Sequence, residues 1–363
     1  MSKVIVGMSG GVDSSVTSYL LKQNGFEVEG ISFILWEARN RSNPAACCSL
    51  EATDGASKTA RSLGIRHSSL DVREEFIEKV IEPFVDSYAR GVTPNPCILC
   101  NRHIKFPFLL REAEKRGAEY IATGHYARNE RDQKHGVAIS TLKKGVDPAK
   151  DQSYVLYALR PEELARLVLP LGDYRKYDVR EIARSLRLDA AERPESQEIC
   201  FIEDRNYSRF IETLSPSAGS PGPIIDSSGK ILGTHQGIFR YTIGQRKGLG
   251  ISSLSPHYVT KIDDKKNAVY VGSKEEAKIR EFVAGSLNWL IKPSSLSFEA
   301  SVKVRSTMEA RPAAVTVLGN DVRVRFDEPQ WAPAPGQSAV FYDGDIVLGG
   351  GIIEACVQED IQQ

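Results

Sequence analysis

Residues 3–21 constrain this chain more than any other stretch. Lys3-Val4-Ile5-Val6 is a short β-branched run of the kind that forms a buried strand. Gly7-Met8-Ser9-Gly10-Gly11-Val12-Asp13-Ser14-Ser15 follows at once, and Val16-Thr17-Ser18-Tyr19-Leu20-Leu21 reads as the start of a helix. A strand, a Gly/Ser turn and a helix N-terminus together make an anion site. The N–H groups of the turn point inward, and the helix dipole places partial positive charge there. Gly10 and Gly11 let the backbone approach a phosphate closely, and the serine hydroxyls add donors. The Walker pattern is absent and no lysine lies in the loop.

The rest of the chain bounds the setting. With 363 residues it can bury more than one core, so two or three domains are expected. Hydrophobic residues make up 41% and charged residues 26%, ordinary values for a globular protein. No run of about twenty apolar residues predicts a membrane span. The first residues enter a strand with no basic-then-apolar leader, which points to a cytoplasmic protein. Basic and acidic residues balance at 47 each, so any nucleic-acid surface must come from clustering rather than excess. Cysteines stand at 47, 48, 97, 100, 200 and 356. In a chain of this length inside a cell, paired cysteines suggest metal or redox chemistry more than a disulfide framework.

Strand and helix patterns alternate through the first third. Strands are predicted over 26–33, 65–70 and 120–123, and helices over 50–63, 74–90 and 104–116. Trp36 to Ser49 reads as a loop. Gly91 to Asn101, with two prolines, reads as a loop that excludes regular structure. The alternation predicts an α/β fold with a doubly wound parallel sheet, whose ligands bind at the carboxyl ends of its strands. The Ser9 loop and the Gly124-His125 turn both fall at such ends. From residue 150 to 188 the pattern is mostly helical, and a further helix ends near Leu214. A Ser/Pro/Gly linker spans 215–222. Beyond it, turn signals at 226–229, 263–267, 319–321 and 343–344 separate short alternating strands, predicting a β-rich segment and a small antiparallel barrel or sandwich.

Ser-Gly-Gly-x-Asp-Ser is the pyrophosphate-loop signature of enzymes that split ATP between its α- and β-phosphates. Three more strings accompany it: Thr-Pro-Asn-Pro-x-x-x-Cys-Asn at 93–101, Ala-Thr-Gly-His-Tyr at 122–126 and Lys-Asp-Gln-Ser-Tyr at 150–154. Ile-Cys-Phe-Ile at 199–202, Gly-Gln-Arg-Lys-Gly-Leu-Gly at 244–250 and Pro-Gly-Gln-Ser-Ala-Val-Phe-Tyr at 335–342 carry the match across the whole chain. Together they resemble the tRNA 2-thiouridylase family, which installs sulfur at C2 of a wobble uridine. The resemblance implies an ATP-pyrophosphatase domain over 1–214, a small central β-rich domain over 215–280 and a C-terminal antiparallel β-barrel over 281–363 that helps hold tRNA.

A uracil C2 carbonyl has a poor leaving group. Attack of its oxygen on the α-phosphorus of ATP makes an adenylated base, from which AMP leaves readily. The departing pyrophosphate must be neutralised, which a Ser/Gly loop, a helix N-terminus and Mg²⁺ can do. Gly7, Met8, Ser9, Gly10, Gly11, Val12, Asp13 and Ser14 are expected to hold the phosphates. Asp13 either organises the metal or caps the helix. By resemblance, Phe33 and Gly124 line the nucleotide site. The cysteine matching Cys200 carries a persulfide, and that matching Cys100 attacks it or resolves it as a disulfide. Both need thiolate character, which Arg102, His103 and Lys105 could favour.

The chain departs from the family at Cys97, where many members have Asp. Cys97, Cys100 and Cys200 make three soft ligands, able to hold a [4Fe–4S] cluster with one iron open. Persulfide chemistry without a cluster, and a zinc site or an inert pair, are the alternatives. Cys47-Cys48 reads as an inert or extra redox pair, and Cys356 as structural. The resemblance further implies that Asn95, Pro96 and Cys97 meet the target base, that His125, Lys150, Asp151 and Gln152 touch the tRNA, and that Arg305, Ser306 and Gln337 do so from the barrel. Arg246-Lys247 and Lys303/Arg305 suit phosphate contacts, and His125 suits a structural role equally. A sulfide or persulfide donor, delivered by a carrier protein, is the expected partner besides tRNA. Two rival readings are a ligase or amidotransferase with the same loop acting on a small molecule, and an RNA-binding module with a structural metal. The first leaves the cysteines without a purpose and the second leaves the loop without one.

Overall fold

A computed structural model describes residues 1–36, 50–134, 137–192, 199–202, 206–253 and 255–357. Cys47 and Cys48 lie outside them, as does most of the expected 36–49 loop. The chain forms two compact units. The first is drawn from Met1–Val80, Pro96–Arg205 and Asp345–Val347. The second is drawn from Ile81–Asn95, Asn206–Gly344 and the residues from Leu348 on.

The first unit is built on a five-stranded sheet. Its strands are β1 (Lys3–Gly7), β2 (Glu27–Ile34), β3 (Arg66–Asp71), β4 (Tyr120–Ala122) and, later in the chain, β7 (Leu167–Val168). Their order is β3-β2-β1-β4-β7 and every pairing is parallel. The predicted doubly wound sheet is therefore present, and its order reverses between β1 and β4. Val4, Ile5 and Val6 are wholly buried, as expected of a strand covered on both faces. Each such side chain contributes about 1.5–3 kcal/mol of burial. Helix α1 (Val12–Gln23) packs on the sheet with Val16 and Leu21 buried, and α2 (Leu50–Leu63) buries Ala56 and Ala60.

Two local expectations are corrected, and one hairpin is added. The prolines of 91–101 do not exclude regular structure: Pro96–Cys100 is helical, followed by a π turn over Asn101–Lys105 and the helix Phe106–Lys115. Proline is tolerated in a helix's first turn, where its missing N–H would have no partner. The helical stretch 150–188 contains β7, two residues long and so too short for any periodicity to mark. Between β4 and residue 150 the chain makes a hairpin of β5 (Ala127–Lys134) and β6 (Val137–Lys144) that patterning did not reveal. Lys143 of β6 pairs with Ile346, and Arg128 donates to Asp345 Oδ2 at 3.0 Å, which is why the short piece 345–347 belongs to this unit.

The second unit contains two β structures. One is a four-stranded sheet of β8 (Gly222–Asp226), β9 (Ile231–His235), β10 (Tyr258–Asp263) and β11 (Ala268–Gly272), ordered β10-β11-β8-β9. The other comprises β12 (Lys278–Trp289), β13 (Ser297–Lys303), β14 (Arg311–Leu318), β15 (Asp321–Trp331), β16 (Ser338–Asp343) and β17 (Ile346–Val357). The order β12-β15-β14-β13-β16-β17 is closed by β12 pairing with β17, so the barrel alternative is the one realised. Alternation puts Val302, Val315, Val322, Val324 and Phe341 into its core. Closure needs strong coiling. Register shifts after Val283 and Gly285, with Ser286 at φ 50°, supply it in β12. All four predicted turns sit between paired strands, with Gly229, Asn267, Gly319 and Gly344 at positive φ.

Candidate active site

The loop from Met8 to Gly11 leaves the carboxyl end of β1 and runs straight into α1. Neighbouring strands hold it. Met8 donates its N–H to Ile31 O at 2.8 Å, and Ser32 Oγ donates to Met8 O at 2.7 Å. Ser32 has one proton and gives it to Met8, so it accepts from His67 Nε2 at 2.9 Å. His67 is accordingly the Nε2–H tautomer, and burial holds its pKa below the ordinary histidine range. Gly10 lies at φ 72°, a conformation glycine adopts without strain. Ser14 Oγ accepts from Ser9 N–H at 3.2 Å and donates to Gly11 O at 3.2 Å, while Ser15 Oγ donates to Gly11 O at 2.9 Å. The loop is thus a compact knot of hydroxyls around the start of α1, with Ser9 exposed.

The turn after β4 closes on the same point. A Cβ on Gly124 would lie 2.9 Å from both Asp13 C and Ser14 N, so only glycine lets this turn approach the helix start. Phe33, half-buried near the carboxyl end of β2, pairs in register with Leu70. The two predicted nucleotide elements, 7–14 and 124, therefore meet where the strand order reverses. That is the position at which open parallel sheets bind ligands.

Asp13 neither caps α1 nor stands open. Its Oδ1 accepts from Tyr126 Oη at 2.7 Å, and Lys176 Nζ donates to Oδ1 at 2.7 Å and Oδ2 at 2.8 Å. Gly11, at the N-cap, brings no side-chain bond. Lys176 and Tyr126 were not singled out by the sequence. Lys176 is 163 residues from Asp13 and lies in no recognised string, whereas Tyr126 ends the Ala-Thr-Gly-His-Tyr match.

His125 is buried, stacked on Phe106 at 5.9 Å, with Nδ1 2.7 Å from Thr123 Oγ1. Burial, with Lys105 nearby, pushes its pKa well below the ordinary range. It is a neutral, packed ring. Asp151 accepts from Gly145 N–H and Ser153 N–H, both at 3.1 Å, and from Ser153 Oγ at 2.9 Å. Gln152 exchanges two bonds with Tyr126: its N–H donates to Tyr126 O at 2.8 Å, and its Oε1 accepts from Tyr126 N–H at 3.0 Å. These residues order the loop behind Tyr126. Lys150 sits beside them, half-buried.

Cys97 and Cys100 lie one helical turn apart on Pro96–Cys100, Cys97 exposed and Cys100 buried. The π turn begins at the next residue, and such turns recur at functional sites. Asn101 within it donates from Nδ2 to Val155 O at 2.9 Å. Partial desolvation, with Arg102 and Lys79 beside it, lowers the pKa of His103. His103 is therefore not a source of positive charge at neutral pH, while Arg102, Lys79 and Lys105 are. Cys200 is half-buried in the same unit. Among the described residues no group of three or more His, Cys, Asp or Glu side chains could hold a metal ion.

In the second unit, Arg305 donates from one Nη to Ile243 O at 2.9 Å and to Ala332 O at 2.8 Å. Gln337 Nε2 donates to Thr93 O at 2.9 Å, and Thr93 N–H to Pro335 O at 3.0 Å. Gln337 thereby fixes the segment that leads to Asn95. Ser306 is exposed. Cys356 is half-buried, with its Sγ 3.4 Å from Pro333 O, and burial pushes its pKa up to about 11, which suits an inert packing thiol.

Among the described residues no helix is long and apolar enough to cross a membrane. Three family models match in succession: a tRNA methyl transferase HUP domain over 2–204, a tRNA methyl transferase PRC-barrel domain over 208–273 and an aminomethyltransferase β-barrel domain over 279–353. A tRNA-specific 2-thiouridylase MnmA 2 of Thermoanaerobacter sp. (strain X514) is 48% identical over 97% of this chain and 98% of its own. A tRNA-specific 2-thiouridylase MnmA of Geobacter metallireducens is 46% identical, covering 98% of each. Among solved structures, a 4-thiouridine synthetase–RNA complex with bound ATP matches at 16% identity and a TM-score of 0.39, over 60% of this chain and 51% of that one.

Proposed function

The chain belongs to the family of tRNA-specific 2-thiouridylases, and from that premise we propose that it uses ATP to replace the C2 oxygen of a tRNA wobble uridine with sulfur. One observation carries this reading: the Ser9–Ser14 loop and Gly124 converge at the reversal of strand order, in a chain nearly half identical to such enzymes over its full length. The domain models are described in terms of methyl transfer. A loop shaped for pyrophosphate suits ATP, which carries no methyl donor, so we follow the full-length relatives.

The phosphates rest on the loop 7–14, against the serine hydroxyls and the start of α1, with Phe33 and Gly124 beside the nucleotide. The uridine C2 oxygen attacks the α-phosphorus and pyrophosphate leaves. The positive end of α1 and the hydroxyls offset the charge that develops. Mg²⁺ is expected to arrive with the triphosphate. Asp13 does not suit it as a ligand, because both its oxygens already accept from an ammonium, and no step is drawn through a protein-held metal.

Sulfur then arrives on Cys200 as a persulfide: the Cys200 thiolate attacks the outer sulfur of a carrier protein's persulfide, and the carrier leaves as a thiol. Its terminal sulfur attacks C2, and AMP departs with the former C2 oxygen. Cys100 thiolate next attacks Cys200 Sγ, releasing 2-thiouridine and leaving a Cys100–Cys200 disulfide that an external thiol must reduce. Lys79, Arg102 and Lys105 favour the thiolate. Cys97 takes the place of the usual Asp next to the base, with Asn95 and Pro96. Lys150, Ser306 and the basic residues 246–247 serve the RNA backbone, while His125, Asp151, Gln152, Arg305 and Gln337 act by holding the loops that meet it. We keep the division 1–214, 215–280 and 281–363 for catalysis, linkage and tRNA holding, and place the protein in the cytoplasm, where tRNA, ATP and reduced thiols coexist.

The test is nucleoside analysis of tRNA after incubation with ATP and either sulfide or a persulfide donor, on protein purified without oxygen and assayed for iron. Iron-free protein that forms 2-thiouridine, and loses this with Cys200→Ser, supports the route. Activity that tracks about four irons per chain and vanishes on chelation would replace the persulfide with a cluster.

A further inference from the structure

Lys176 opens the helix Lys176–Ser185. Its side chain is 10% exposed, and its ammonium reaches both oxygens of Asp13 at 2.7 and 2.8 Å and lies 5.5 Å from the centre of the Tyr126 ring. Its backbone N–H donates to Asp147 Oδ2 at 2.9 Å, which fixes where the side chain starts. Tyr126 is fixed in turn by its paired bonds with Gln152. Two anchored donors therefore hold one carboxylate in the first turn of α1, directly behind the loop. A helix start that receives a triphosphate gains from its dipole, and an uncompensated carboxylate there would oppose that gain. The charges lie close together and partly out of water, where screening is weak.

We propose that Lys176 is a positioning residue of the nucleotide site. It neutralises and immobilises Asp13, so that the loop presents hydroxyls and a helix N-terminus to the triphosphate rather than a net negative charge. Tyr126 fixes the carboxylate's orientation. This rests on the ATP reading above. It also differs from direct contact between Lys176 and the phosphates, because charge compensation makes Lys176 dispensable once Asp13 is neutral.

The experiment is equilibrium binding of ATP with Mg²⁺ to the full chain without tRNA, using Lys176→Met, Lys176→Arg, Asp13→Asn and the double variant Asp13→Asn/Lys176→Met, with thermal melts alongside. Lys176→Met is expected to weaken ATP binding about tenfold or more. Lys176→Arg should restore most of it. Asp13→Asn, which removes the charge that Lys176 balances, should lose much less affinity than Lys176→Met, and the double variant should match Asp13→Asn to within about threefold. If Lys176→Met fails to fold, Asp13→Asn and the double variant still decide. A double variant as weak as Lys176→Met, or a large loss in Asp13→Asn, overturns the proposal. Absence of ATP binding by the unsubstituted chain overturns the ATP reading and the proposal with it, so the two failures are told apart.

Discussion

The two ends of the parallel sheet treat charge in opposite ways. At the amino end, Lys3 pairs with Glu29 at 3.1 Å, and Arg116 binds both Glu29 and Glu112, the latter at 2.9 Å. Lys3 also donates to Arg116 O at 3.1 Å. Burial alone would push the Glu29 and Glu112 carboxyls up. The hydrogen bonds from Arg116, Lys3 and Lys115 outweigh it, and both pKa values fall below the usual carboxylate range. At the carboxyl end of β1, the Asp13 carboxylate is matched by the Lys176 ammonium and the Tyr126 phenol, beside serine hydroxyls, glycines and a helix start. The first arrangement uses charge to fasten strands and helix together. The second is balanced locally, between side chains drawn from the start of α1, the turn after β4 and the helix Lys176–Ser185.

Substitutions at the two ends should therefore separate activity from stability. The largest effect is expected for Cys200→Ser and Cys100→Ser. Each should lower 2-thiouridine formation at least about 10³-fold, with ATP binding unchanged in an equilibrium titration. Gly124→Ala comes next. Its Cβ meets backbone at 2.9 Å, so the loop must shift, and the KM for ATP should rise by about tenfold or more with a smaller change in melting temperature.

Arg116→Met should do the reverse. It should lower stability by roughly 2 kcal/mol in a urea titration, less than the ~3–5 of a fully orphaned buried charge, because Lys3 and Lys115 remain. The KM for ATP should stay at its original value, and a matching rise would erase the distinction between the ends. The acid limb sharpens the same point. Glu29 and Glu112 have depressed folded pKa values, so their stabilisation is complete above the unfolded value of about 4.3 and is lost as pH falls through the folded values. The stability gap between the original chain and Arg116→Met should therefore close below about pH 4. Smallest of all, His125→Gln should leave the pH dependence of activity unchanged between about pH 6 and 8, because the buried ring is already neutral.

What the sequence made legible follows from range. The strand–loop–helix at 3–21 is dictated by neighbours in the chain, and the structure has β1, the loop and α1 in that order, with Gly10 at positive φ. The barrel turns were legible for the same reason, since Gly and Asn mark left-handed positions locally. The Lys176–Asp13 pair was not legible, because a lysine at a helix start carries no signal of a partner so distant in sequence. Prolines misled the reading at Pro96, where a rule that forbids proline inside a helix does not hold in its first turn. Arg305, Gln337 and Asp151, matched to RNA contacts by resemblance, also bind backbone groups of the chain itself. Those bonds were not legible in the sequence, because their partners are set by the fold and not by the motif.

The most direct test follows the phosphates. The chain is incubated with tRNA, a persulfide donor and ATP labelled at the α- and γ-phosphates, so that AMP and pyrophosphate are counted from the label and 2-thiouridine by nucleoside analysis. Equal amounts of all three, with neither AMP nor pyrophosphate formed when tRNA is omitted, is the predicted result. ADP and orthophosphate as products, or pyrophosphate released with a small acceptor in place of tRNA, would contradict it.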